Sequence, residues 1–144
     1  MMAAMSRLMA LKQAHDVEGL TAMYSPDCVL EQPSLGIRSV GRDAIRPQLA
    51  RFARAFPDYH RAFEGAASDG RTLVSWGEAR MTLHGEFDGH RPNGRQARVM
   101  TFVLFGFDKA GLIARESHNW DLATLCRQSG VPVAAMETSM GLAV

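Results

Sequence analysis

Apolar positions recur along this chain with two different periods. Near the N-terminus Met5, Leu8, Met9 and Leu11 fall within one helical stripe that ends near Asp16. Gly19 interrupts it. Leu20, Met23 and Tyr24 then carry a short second helical piece, which Ser25-Pro26-Asp27 ends as a turn. Cys28 to Gln32 reads as a strand closed by Pro33 and Gly36. Ile45, Leu49, Phe52 and Phe56 recur at spacings of four, three and four, which predicts a helix of about four turns. Proline is tolerated in a first turn but removes a hydrogen bond deeper in, so Pro47 makes this helix start late or kink. Pro57 stops it.

The period then shortens. Tyr59 to Ala67, Arg71 to His84, Ala97 to Phe107 and Leu112 to Trp120 read as strands. Ser68-Asp69-Gly70-Arg71 and Asp108-Lys109-Ala110-Gly111 carry Asp and Gly where tight hairpins need them. A longer connection has Pro92-Asn93-Gly94 at its tip. Leu122, Leu125 and Cys126 give a closing helix its apolar face, and Gly130 stands at the C-cap position. The tail 131–144 is mildly apolar and predicts no element. Helices first, then an antiparallel meander, then one helix is an α+β layout. A curved sheet with helices over one face encloses a concave space suited to a small molecule.

Composition narrows the function classes. The 144 residues make one domain, with a core over 5–130 and a tail over 131–144. A net charge of +1 gives no strong pull on nucleic acid or anionic membrane. The longest apolar runs, such as Val99 to Phe107, are far too short to span a bilayer. The N-terminus lacks a basic stretch before its apolar residues and reads as a helix, not a signal peptide. Cys28 and Cys126 are isolated, without metal spacing, and suit buried free thiols in a cytoplasmic protein. His15, His60, His84 and His90 also lack metal spacing, and no nucleotide-binding or nucleophile-elbow motif is present.

Several short motifs together resemble one family. They are Tyr24-Ser25-Pro26-Asp27, Gly41 before the long helix, Phe56-Pro57-Asp58-Tyr59, and His84-Gly85-Glu86-Phe87 leading to Pro92-Asn93-Gly94-Arg95. Phe105-Gly106-Phe107-Asp108 with Gly111-Leu112-Ile113, and Trp120-Asp121-Leu122 with Leu125, Arg127, Gln128 and Gly130, complete the set. Their order and spacing over residues 5–130 resemble the SnoaL-like polyketide cyclases of the nuclear transport factor 2-like superfamily. The resemblance implies a cone with N-terminal helices packed on a curved antiparallel sheet. It also implies a homodimer through the outer sheet face and a hydrophobic small-molecule ligand. The activity implied is aldol ring closure by acid–base chemistry without metal or organic cofactor. The same fold hosts epoxide hydrolases and plain binding modules, so these stay open.

Candidate chemistry lies on two strands. Alternation puts Glu116, His118 and Trp120 on one face, and Ser117, Asn119 and Asp121 on the other. Relatives often carry a carboxylate where His118 stands, and an imidazole also moves protons near neutral pH. Asp121 precedes Leu-Ala-Thr-Leu and suits a helix N-cap. In the cyclase reading Asp121 removes an acidified C–H proton and His118 polarises the accepting carbonyl. Glu78 and Arg80 share a strand face, and in a pocket they resemble the acid–Arg arrangement of limonene epoxide hydrolase. On a solvent-facing strand they are a surface ion pair. Tyr24, Phe56, Trp76, Phe102 and Trp120 are the candidate ligand-contacting side chains. Arg91, Arg95 and Arg98 make the long loop basic. Pattern alone leaves open which face of strand 73–84 looks inward.

Overall fold

The two periods of the sequence become two layers. The protein is known here from a computed structural model, which describes residues 1–140; residues 141–144 of the tail lie outside the described residues. The elements run α1 (Met2–Gln13), α2 (Val17–Ala22), β1 (Tyr24–Gln32), a 3-10 turn (Pro33–Leu35), β2 (Ile37–Val40) and α3 (Arg42–Ala55). Then come β3 (His60–Arg61), β4 (Gly65–Ser68), β5 (Thr72–Thr82), β6 (Gln96–Phe107), β7 (Ile113–Trp120), α4 (Leu122–Ser129) and α5 (Val133–Ser139). One sheet has the order β2-β1-β7-β6-β5-β3, with β4 also paired to β5.

The meander β5-β6-β7 is antiparallel, as its hairpin signals predict. Asp69 Oδ1 accepts from Arg71 N and Thr72 N, and Asp108 Oδ1 accepts from Ala110 N and Leu112 N. The sheet as a whole is mixed, not antiparallel, because β1 runs parallel to β7. Local pattern carries no information on a pairing between segments this far apart in sequence.

Other expectations shift at the element ends. The first helix breaks at His15, which has φ 54, and not at Gly19. Asp16 caps α2 by accepting from Gly19 N at 2.8 Å, so Gly19 sits inside that helix. Ser25-Pro26-Asp27 is strand, not turn. Pro26 cannot donate to a ladder, and the register between β1 and β7 shifts there, between Tyr24 and Val29. Pro47 lies inside α3, which starts at Arg42 on the N-cap Gly41. Segment 59–67 divides into β3 and β4 because residues 62–64 swell over β5. Gly77 lets them do so: a Cβ there would lie 1.8 Å from the Ala62 carbonyl oxygen. Neither β2 nor α5 left a readable pattern.

The helices cover one face of the sheet. On β5 the covered residues are Leu73, Ser75, Gly77, Ala79 and Met81, and on β6 they are Ala97, Val99, Thr101, Val103 and Phe105. One apolar cluster packs Phe56, Tyr59, Met81, Val99, Trp120, Leu125 and Met136. A second packs Met5, Leu8, Leu20, Tyr24, Leu30, Ile45, Leu49 and Phe105. No helix among the described residues is long and apolar enough to cross a membrane.

Candidate functional site

A polar seam lies where the two clusters meet. Glu116 and His118 are successive inward residues of β7, opposite Phe105 and Val103 of β6. Both are buried, with exposures of 1% and 3%. They floor a cavity also lined by Lys12 of α1, Leu30 and Gln32 of β1, and Gln48 and Phe52 of α3. Its closed volume is about 20 Å³, room for about one water. A ring-sized molecule does not fit this volume in the present side-chain arrangement.

Glu116 is held from two sides. Lys12 Nζ donates to its Oε1 at 3.2 Å, and Tyr24 OH donates to its Oε2. Lys12 sits in the last turn of α1, with its ammonium 5.8 Å from the centre of the Phe52 ring. Tyr24 opens β1, and its carbonyl accepts from Arg42 Nε at 2.8 Å. Burial pushes the Glu116 carboxyl up, but the charge of Lys12 and the hydrogen bonds from Tyr24 and Lys12 outweigh it and hold the group below the usual carboxylate range. Burial and the adjacent carboxylate push the Tyr24 phenol well above its ordinary value, so the hydroxyl stays a donor.

His118 is the opposite case. Burial, then the positive charge of Lys12, lower its pKa to about 3, although Glu116 pulls the other way. The imidazole is therefore neutral at pH 7, and its Nε2 has no hydrogen-bond partner among the described residues. Its ring stacks on Trp120 at 5.9 Å between centroids. This seam thus combines an ionised carboxylate, a neutral imidazole and two donors beside an apolar wall. Such a set can remove a proton from carbon and hydrogen-bond the oxygen that gains charge. Among the described residues, no three His, Cys, Asp or Glu side chains gather into a metal-holding group.

The sequence candidates are dispersed around this seam. His118 and Tyr24 are in it. Trp120 and Phe56 are inward but belong to the neighbouring core, ring edge to face at 5.5 Å. Asp121 is not in the cavity. It is exposed and caps α4, accepting from Thr124 N at 2.9 Å and Thr124 Oγ1 at 2.6 Å, bonds that lower its pKa. Glu78 and Arg80 are also elsewhere: they form a 2.9 Å ion pair on the outer face of β5, with side chains 33% and 44% exposed. The small apolar positions of β5 pack under the helices, which turns this charged pair outward. Trp76 and Phe102 oppose one another on that same outer face, where Phe102 is 50% exposed. The basic loop is tied to α4, where Asn93 N and Nδ2 donate to the Ser129 and Gln128 carbonyls.

Glu116, Lys12, Gln32 and Arg61 were not singled out from sequence. Alternation had already put Glu116 with His118, and would have put Arg61 with Tyr59. Nothing in the pattern marks Lys12, whose partner is 104 residues away.

Comparison with known proteins supplies the context. The family profile described as SnoaL-like polyketide cyclase matches residues 2–129. No curated protein matches the sequence significantly. Among solved structures, a Catenulispora acidiphila protein with a ketosteroid isomerase-like fold, crystallised with trimethylamine, is 16% identical. It superposes with a TM-score of 0.78 over 91% of this chain and 95% of its own. IdmH of Streptomyces antibioticus, a candidate polyketide cyclase, is 22% identical with a TM-score of 0.75, covering 90% of this chain and 97% of its own. TerC, crystallised with polyporic acid, is 17% identical with a TM-score of 0.73, covering 90% and 97%. At these identities the likeness is one of fold.

Proposed function

From the premise that the chain belongs to the SnoaL-like polyketide cyclase family, we propose that it is an acid–base enzyme for a hydrophobic, carbonyl-rich small molecule, closing a ring by aldol addition. The observation that carries this reading is the buried Glu116 carboxylate, kept ionised by Lys12 and Tyr24 beside an unpartnered His118 Nε2. Glu116 takes the role first expected of Asp121.

In the proposed reaction, Glu116 accepts a proton from a carbon flanked by carbonyls. The resulting enolate carbon attacks a second carbonyl carbon, forming the C–C bond. Neutral His118, as the Nε2–H tautomer, donates a hydrogen bond to the oxygen that becomes an alkoxide. The proton on Glu116 then passes to that alkoxide, so the enzyme ends as it began. Proton transfer of this kind contributes about 10²–10⁴-fold. Folding a flexible chain against Leu30, Leu49 and Phe52 into the closing geometry adds an entropic share.

The test is proton exchange at carbon. In D₂O, the native protein is expected to accelerate α-deuteration of 2-tetralone, followed by NMR. Glu116→Gln keeps the shape and an acceptor for Tyr24, and should lower that rate about 10²-fold or more. An unchanged rate in a folded variant sinks the assignment.

We also propose that the protein self-associates through the outer sheet face. Val74, Trp76, Met100, Phe102 and Leu104 form an apolar patch there on two adjacent strands, with Met100 41% and Phe102 50% exposed.

A further inference from the structure

Arg61 is a buried cation without a carboxylate in hydrogen-bond reach among the described residues. It is 7% exposed and reaches inward from β3 across β5 and β6. Its Nε donates to Thr101 Oγ1 at 2.7 Å and its Nη1 to Ser75 Oγ at 3.1 Å. Thr101 donates onward to the Gly77 carbonyl at 3.0 Å, which leaves its oxygen free to accept from Arg61. Both partners are neutral hydroxyls, and Nη2 has no partner among the described residues. A guanidinium remains charged in proteins, and a buried charge is normally paired with an opposite one.

Glu116 acts on Arg61 through space, without a hydrogen bond. Glu116 is taken by Lys12 at 3.2 Å, and His118 is neutral. The buried seam therefore holds two cations, Lys12 and Arg61, against one carboxylate. Two more unpartnered polar atoms flank the same patch. Trp120 is directly opposite Thr101 across β6 and β7, and its Nε1 has no partner among the described residues. His118 is opposite Val103, which is itself opposite Ser75, and its Nε2 has none. All three residues are more than nine-tenths buried. Three orphaned groups, one reaching across β5 and β6 from β3 and two on β7, with one excess positive charge, suit an oxygen anion.

We propose that this patch is an anion subsite, and that the ligand is a monoanion whose carboxylate or ionised enol oxygen lies against Arg61 Nη2, with Trp120 and His118 beside it. The inference rests on the reading that the seam is the ligand site, and it adds the charge class of the ligand. It does not require turnover. Arg61 would set which molecules enter and how they lie, while Glu116 handles the proton.

The full-length protein tests this with matched probes. Benzoate and benzamide have nearly the same shape and differ in charge. Calorimetry is expected to give benzoate at least a tenfold tighter Kd. 2-Hydroxy-1,4-naphthoquinone, ionised near neutral pH, against its methyl ether separates an enol source from a carboxylate one. Arg61→Met should erase either preference, and Arg61→Lys should keep part of it. If Arg61→Met fails to fold, the ¹⁵Nε resonance of Arg61 in the native protein carries the test. It should move with benzoate and stay still with benzamide. Equal affinities, no binding of either anion, or a preference that survives Arg61→Met overturns the proposal. Loss of 2-tetralone exchange and loss of anion preference are separate readouts, so each reading can fail alone.

Discussion

His118 makes a quantitative prediction because its neutral state is imposed by the fold. In the unfolded chain a histidine titrates near an ordinary value of 6.5, whereas burial and the charge of Lys12 lower it to about 3 here. Between those values the unfolded chain binds a proton that the folded protein refuses. Stability must therefore fall as pH falls through that window, and it is fully present above pH 6.5. Carboxylates with lowered values, such as Glu31, Asp58 and Glu116, have the same sign but act lower, below their ordinary 3.8 to 4.5. The interval from pH 7 to pH 5 thus isolates the histidine. Over it, one His that stays neutral in the native state costs about 2 kcal/mol, at roughly 1.4 kcal/mol per unit below its unfolded value. For a chain of this size that is a Tm loss of about 4–8 °C. Replacing His118 by Gln removes the titrating group. Calorimetric melting of both proteins at pH 7 and pH 5 should show the wild type losing that much more than His118→Gln. Taking the difference between the two proteins cancels the other histidines. Parallel losses would refute the reasoning, as would a His118 ring-proton resonance that titrates above pH 5.

Two shorter predictions follow from where the structure puts the sequence candidates. Asp121→Ala removes the α4 cap at Thr124, and should cost about 1 kcal/mol of stability while leaving α-proton exchange within twofold of wild type; a large loss of exchange would return Asp121 to the chemistry. Phe102→Glu puts a charge in the centre of the outer apolar patch, and should convert a dimer to a monomer by sedimentation; a wild-type protein already monomeric at micromolar concentration would refute the proposed self-association.

Much of this protein follows from its residue order alone. Period-2 segments bounded by Asp-Gly turns define β5 to β7, because strand alternation and turn dihedrals are local properties. The Asp121 cap and the Gly130 C-cap, with φ 74, are local for the same reason. Alternation also put Glu116, His118 and Trp120 on a common face. What alternation lacks is a sign: it divides a strand into two faces without saying which is covered. The structure decided that by laying the helices on Leu73, Ser75, Gly77, Ala79 and Met81, so Glu78 and Arg80 went to solvent. It also decided what each acidic group is for. Asp121 and Glu116 are five positions apart, yet one is exposed at a helix start. The other is buried between Lys12 and Tyr24, partners 104 and 92 residues away. The parallel pairing of β1 with β7 brings Tyr24 to β7, and α1 crosses above to bring Lys12. A carboxylate's role depends on the charges and donors around it, and in this fold those come from the far end of the chain.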